Sequence, residues 1–492
     1  MADGTGVIVA ILDSGISLNR RVFRRENGES KVISVWDQTV AYDSESAPNR
    51  YGLGRIYNSD EINEAVNSAG GGTFPGSISG SGVGSPVGGS ISSIARDVSG
   101  HGTRVAGIVT ENAPGADLLI VKLSGGNREG FAKTTSIMFA VDYCVNFARE
   151  LGRPCVINLS YGNNNGGHDG RQILETYLNH VAESYIVSIV VATGNEGDRA
   201  HHKEIRLEAD PGFGTVGAGS GVTGIQRAPG STTGGTGVDG RRAGMGNELP
   251  VEILMGENER DLTVTVWLSF QDRCQVRLES PAGESFTVMP GFDLATLENV
   301  RVAVFYGDPT PLNMSREIRF RWLDAAVPSG IWRLVFVPEE IRWGRVNMWL
   351  PVTEGLAGDT RFVEPTLDIS LTIPSTADGV ISVGAFDDNR NTLASFSGRG
   401  FTRDDRIKPD VVAPGVDVET IAPVGTSLST GTSFATPYIS ARAAVLMDWG
   451  IVQGNDPFLY GEKLKAYIIR EAQPLPVLRE YPNPEVGWGA VR

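Results

Sequence analysis

Three features of the 492-residue sequence predict an α/β fold, a parallel sheet in three layers interrupted by an all-β insertion. Short, continuous apolar runs alternate with helix-spaced segments over the first 200 residues. The apolar period then changes to two from about Leu249 to Leu350. After about residue 366 the first pattern returns. Runs of the first kind suit strands buried on both faces of a parallel sheet, and the period of two suits strands of antiparallel sheets.

The elements follow in chain order. Val7–Leu12 (VIVAIL) is the first strand and ends in Asp13-Ser14-Gly15. Asp117–Leu123 (DLLIVKL) is another, and Ile137, Val141, Cys144 and Ala148 then stand at helical spacing. Cys155–Leu159 (CVINL) is a strand, Leu174, Leu178, Val181 and Tyr185 mark a helix, and IVSIVVAT at 186–193 is a strand again. This alternation predicts βαβ units. In TVTVWLSF, REIRFRW and IWRLVFV apolar and polar residues alternate, which predicts a β-sandwich or jelly roll. DGVISVGAFD (378–387) resumes the α/β pattern. The expected domains are therefore 1–205, 206–366 with a Gly-rich linker and the β insertion, and 367–492. A second Gly/Ser-rich stretch at 70–90 reads as a surface loop, without the spacing of a phosphate-binding motif.

A net charge of −15 argues against nucleic-acid partners and against attraction to anionic membranes. No apolar stretch is long enough to span a bilayer. The opening MADGTGVIVAILDSG lacks a signal-peptide pattern, so a cytoplasmic location is expected over a secreted one. Cys144, Cys155 and Cys274 show no CxxC spacing and read as buried thiols. His201-His202, with His168 and His180, lack a zinc motif, and no metal site is expected from them. Trp267, Trp322, Trp332, Trp343 and Trp349 read as packing residues rather than a carbohydrate platform.

Chemistry enters with GTSFATPYISA at 431–441, where Ser433 precedes a helical run. Alone it could be a cap. It could also be a nucleophile at a helix start, where backbone amides favour developing negative charge. A serine nucleophile needs a base and a group that orients the base. His101, in SGHGTRVAGIV, opens a helix, and Asp13 stands at a strand end, where open α/β sheets place their sites. Asn195, in VVATGNEG, follows a buried strand and can donate its amide to an oxyanion. The order Asp…His…Ser is that of subtilisin.

ILDSGI, HGTRVAGIV, VINLSYG, ATGNEG and GTSFATP together resemble the subtilisin-like serine peptidases, over about residues 5–200 and 370–492. The resemblance implies Asp13 as orienter, His101 as general base, Ser433 as nucleophile and Asn195 as oxyanion donor. It implies that Leu123-Ser124-Gly125 and Ser160-Tyr161-Gly162 pair with the substrate backbone. Ala192-Thr193-Gly194 would line the pocket for the residue before the scissile bond, and Glu196 and Asp198 would favour basic side chains at its rim. KPDVVAPG (408–415) and ASFSGRG (394–400) match family segments of structural character. The long Asp–His separation and the β insertion resemble the clostridial spore-germination subtilases, in which a jelly roll interrupts the peptidase.

The implied function is a serine endopeptidase acting on peptides or proteins. The alternative is a weakly active or non-catalytic sensor that binds through the β insertion. Arg104 stands where the family usually has a second His, which leaves the triad intact and changes the packing beside it. GIVTENAPGA (107–116) is too short for the family's tight calcium loop, so no cofactor is expected. The family's prodomain is not found in this chain, and folding without it is expected to be slow. The insertion leaves the core after about His202 and returns near Ile373-Pro374, by the expected specificity pocket. The β domain is therefore expected to limit which substrates reach the site.

Overall fold

Alternate residues of the first strand serve opposite faces of one sheet, and this sets the architecture of the catalytic part. In β1 (Ile8–Asp13) every residue is buried. Val9 and Ile11 join the core that includes Val105, Val109, Phe434 and Ile439. Ile8, Ala10 and Leu12 join a second core with Ile137, Val141, Leu174 and Leu178. A strand buried on both faces has no polar side, which is why its sequence is an unbroken apolar run.

The computed structural model describes residues 2–45, 47–68, 94–125, 133–208, 248–311, 313–324 and 326–492. Both Gly-rich segments, 70–90 and 211–246, lie outside the described residues. The chain divides into two units. Unit 1 comprises residues 1–202, 351–355 and 366–492, and unit 2 comprises 203–350 and 356–365.

Unit 1 carries the sheet of β1, β2 (Val32–Asp37), β3 (Arg55–Tyr57), β4 (Asp117–Lys122), β5 (Cys155–Leu159), β6 (Val187–Ala192), β7 (Val380–Asp387), β8 (Thr392–Leu393) and β9 (Val411–Pro414). The order is β8-β7-β6-β5-β1-β4-β2-β3, with β9 also paired to β7. Every pairing is parallel except β2 with β3 and β7 with β8. One face is covered by α1 (Ser59–Ser68), α2 (His101–Asn112) and α5 (Thr432–Met447), the other by α3 (Thr134–Glu150) and α4 (Ile173–Ser184). α5 is buried almost all round and contains Pro437. The C-terminal ends of β1, β4, β5 and β6 lead into Asp13-Ser14, Leu123–Gly125, Ser160–Gly162 and Gly194-Asn195. This is the edge at which α/β sheets hold their sites.

Among its described residues unit 2 is all β. Its strands fall into a five-stranded and a six-stranded sheet, and the pairings among the strands from Leu249 to Phe362 are antiparallel. In Ser315–Trp322, Ile318, Phe320 and Trp322 are buried, while Arg319 and Arg321 are exposed. Residues from both sheets form one core, in which Trp322 and Trp332 meet edge to face at 5.4 Å. Trp267 and Trp349 are buried as well, whereas Trp343 is 68% exposed. A carbohydrate platform needs several exposed rings, so the packing role fits four of the five and Trp343 departs from it. Among the described residues no helix is long and apolar enough to cross a membrane.

Candidate active site

At the start of α2, His101 is oriented by a carboxylate from the strand end beneath it. Its Nδ1 lies 2.7 Å from Asp13 Oδ1, which also accepts the Ser14 N–H at 2.7 Å. The close seat of α2 on β1 needs Gly102. A Cβ there would stand 2.3 Å from the Gly15 carbonyl oxygen and 3.2 Å from Asp13 Oδ1. With Nδ1 committed to Asp13, Nε2 is the nitrogen left to exchange a proton with a substrate-side group.

Asp97 secures the same helix start. Its buried carboxylate accepts the Gly100 N–H (2.8 Å), the Thr103 N–H (2.8 Å), the Thr103 hydroxyl (2.6 Å) and the Ser14 hydroxyl (2.9 Å). Burial pushes its pKa up, but these bonds together outweigh burial and hold it below the usual carboxylate value. Sequence reasoning passed over Asp97. The available signal was an acid shortly before the helix in DVSGHGT, in reach of its free amides.

Ser433 is the second residue of α5, so its N–H is one of the amides that a helix start leaves without an intrahelical acceptor. Its carbonyl would normally accept from the amide four residues on. That residue is Pro437, which has no N–H. Ser160 Oγ donates to the Ser433 carbonyl instead, at 3.0 Å. Ser160 is held in turn by Asn158 Nδ2 (3.1 Å), and Asn158 Oδ1 accepts from Ser440 Oγ further along α5 (2.8 Å).

Asn195 is oriented by the residue before the serine. The Thr432 N–H and hydroxyl both donate to Asn195 Oδ1, at 3.0 and 3.2 Å. A backbone N–H can only donate, so the atom it meets is the amide oxygen, and Nδ2 is left free to donate elsewhere. Phe434 packs 5.4 Å from the His101 ring, centroid to centroid, and the Arg104 guanidinium lies 5.6 Å from the other ring, that of Phe434. Arg104 also donates to the Gly100 and Ser99 carbonyls, which ties it to the turn before α2.

A cleft of about 700 Å³ in unit 1 is lined by Asp13, His101, Asn195 and Ser433 together. Leu123, Gly125, Ser160, Tyr161, Gly162, Ala192 and Gly194 line it too. Two of the expected residues do not. Ser124 turns away to Gln38 and Ser136. Thr193 is fully buried, its N–H bonded to Val383 and its carbonyl to the Thr372 N–H. Both support the walls from behind.

The expected acidic rim also differs. Glu196 is buried, with Oε2 2.6 Å from His201 Nδ1, and accepts from Thr353. Asp198 accepts from Ser395 Oγ and lies outside the cleft lining. Neither carboxylate is free to face a substrate. His168 is buried against the Leu371 carbonyl at 2.7 Å, and burial pushes its pKa down to about 3. Among the described residues no three His, Cys, Asp or Glu side chains gather as a metal site.

Comparison with known proteins points to one family. The model of the subtilase family (Peptidase_S8) matches residues 4–236 and 357–489. Subtilase-type proteinase RRT12 of Saccharomyces cerevisiae is 38% identical over 88 residues, covering 17% of each chain. Serine protease AprX of Bacillus subtilis is 37% identical over 95 residues, 15% of this chain and 22% of the relative. The match thus spans about a fifth of the length of these curated relatives. Among solved structures, the Clostridium perfringens CspB protease has a TM-score of 0.80 and 28% identity, over 100% of this chain and 92% of that one.

Proposed function

The chain belongs to the subtilase family, and from that premise we propose that it is a serine endopeptidase working through an acyl-enzyme. His101 takes the Ser433 proton through Nε2 as the hydroxyl attacks the scissile carbonyl. Asp13, 2.7 Å from Nδ1, fixes the ring and stabilises the imidazolium that forms. The oxyanion is held by Asn195 Nδ2 and the Ser433 N–H, where one donor is typically worth about 10²–10³ in rate. His101 then returns the proton to the leaving amine, and water repeats the sequence on the acyl-enzyme.

The observation that carries this reading is the Thr432–Asn195 contact. It turns the amide so that its donor is free, on the residue next to the serine and in the cleft that His101 also lines. A binding-only scaffold has no need of that orientation. Segments 123–125 and 160–162 would take the substrate backbone as an added strand between them. That the Clostridium perfringens relative is named a protease supports the reading over a silent sensor.

A fluorophosphonate probe tests it. Wild type is expected to label stoichiometrically and to cleave an unstructured protein substrate, and Ser433→Ala to do neither. A folded wild type that takes no label and cleaves nothing would overturn the proposal.

A further inference from the structure

We propose that Glu354 makes this cleft select a cationic side chain, Lys or Arg, at the residue before the scissile bond. The inference rests on the peptidase reading above and names the substrate class of that same site.

Ser160–Gly162, and Ala192 and Gly194 just before Asn195, all line the cleft. Thr372 lies against both Gly162 and Gly194. A Cβ on Gly162 or on Gly194 would come within 2.0 or 2.3 Å of its side chain, so both positions stay bare. Val352 and Glu354 also line the cleft, and Thr353 between them bonds Glu196, the residue after Asn195. Residues 352–354 belong to the five-residue segment 351–355, which the chain contributes to unit 1 between two stretches of unit 2.

The charged groups lining this cleft are accounted for one by one. Asp13 is taken by His101. Glu196 is buried and taken by His201 and Thr353. Lys122 Nζ donates to the Arg96 carbonyl at 2.8 Å. Glu354 is exposed, and no hydrogen bond or ion pair engages it among the described residues. It is the lining carboxylate left to meet a substrate.

Its placement is also built. The turn Thr353–Gly355 is closed by the Gly355 N–H on the Val352 carbonyl at 2.7 Å. The same turn is pinned by Thr353 on the buried Glu196–His201 pair. The two acids therefore divide the work: Glu196 anchors the turn, and Glu354 is presented by it. Buried Val352 beside Glu354 offers apolar surface to the methylene stem of a Lys or Arg whose head reaches the carboxylate. An acidic side chain in the same place would meet like charge.

The test measures kcat/KM for quenched peptides that differ only at the residue before the cleaved bond (Lys, Arg, Leu or Glu). Wild type, Glu354→Gln and Glu354→Lys are compared, with active sites counted by fluorophosphonate labelling. Wild type is expected to favour Lys and Arg over Leu by about 2- to 5-fold, the size of an exposed ion pair. Glu354→Gln should bring that ratio close to one, and Glu354→Lys should turn the preference toward Glu. A labelled wild type without cationic preference, or an undiminished preference in Glu354→Gln, would overturn the inference and leave the peptidase reading standing. Absence of labelling and of all cleavage would overturn both.

Discussion

His101 sits under opposing influences. Burial disfavours its charged form, and Arg104 works in the same direction. The Asp13 carboxylate, by its charge and its hydrogen bond, outweighs them and leaves the His101 pKa above the ordinary histidine value. A general base must be neutral to accept a proton, so activity should rise with pH through a value above about 6.5. In Asp13→Asn the charge is gone, and the acid limb should move to lower pH while kcat falls about 10⁴-fold. The pH profile of peptide hydrolysis checks both, and an unmoved limb would show that Asp13 does not act on His101. At this scale much of the candidate site was legible in the sequence. Asp13, His101, Asn195 and Ser433 each stand in a short Gly-containing motif at an element's end. Glu354 stands in PVTEG, which has no motif, and only the folded chain brings it to the cleft.

α5 shows what one missing amide requires of a neighbouring element. Pro437 leaves the Ser433 carbonyl to Ser160, so Ser160→Ala strands a partly buried acceptor beside the proposed nucleophile. The expected cost is about 1–3 kcal/mol, read as a lower Tm, together with slower acylation. In a Pro437→Ala background the helix regains its own donor, and the same Ser160→Ala change should cost clearly less. Equal losses in both backgrounds would disprove the exchange of partners. No sequence pattern announces this bond, because its ends are 273 residues apart. The strands themselves were legible for the opposite reason: burial on both faces leaves an apolar run such as Val7–Leu12, visible without any partner. Thr193 was misplaced on similar grounds, since wall and backing residues are neighbours in sequence and only the hydrogen bonds to Val383 and Thr372 tell them apart.

Across the whole molecule the three cysteines report on packing. Cys144 and Cys155 lie in unit 1 and Cys274 in unit 2, all free and buried. Burial pushes the Cys155 and Cys274 thiols up to about 12 and raises Cys144 as well. Since the thiolate is the reactive form, the native protein should resist a disulfide reagent such as DTNB, and all three thiols should react after denaturation. Rapid reaction of any one in the native state would show that its unit opens.

The sheet places β1 at its centre, while α5, which brings Ser433, follows every strand of that sheet in the chain. During synthesis the ribosome therefore releases Asp13, His101 and Asn195 long before the serine. No growing chain that has yet to reach α5 holds all four groups. The proposed peptidase, with this order of parts, would stay inert toward its own nascent chain until α5 has been made and seated on the sheet.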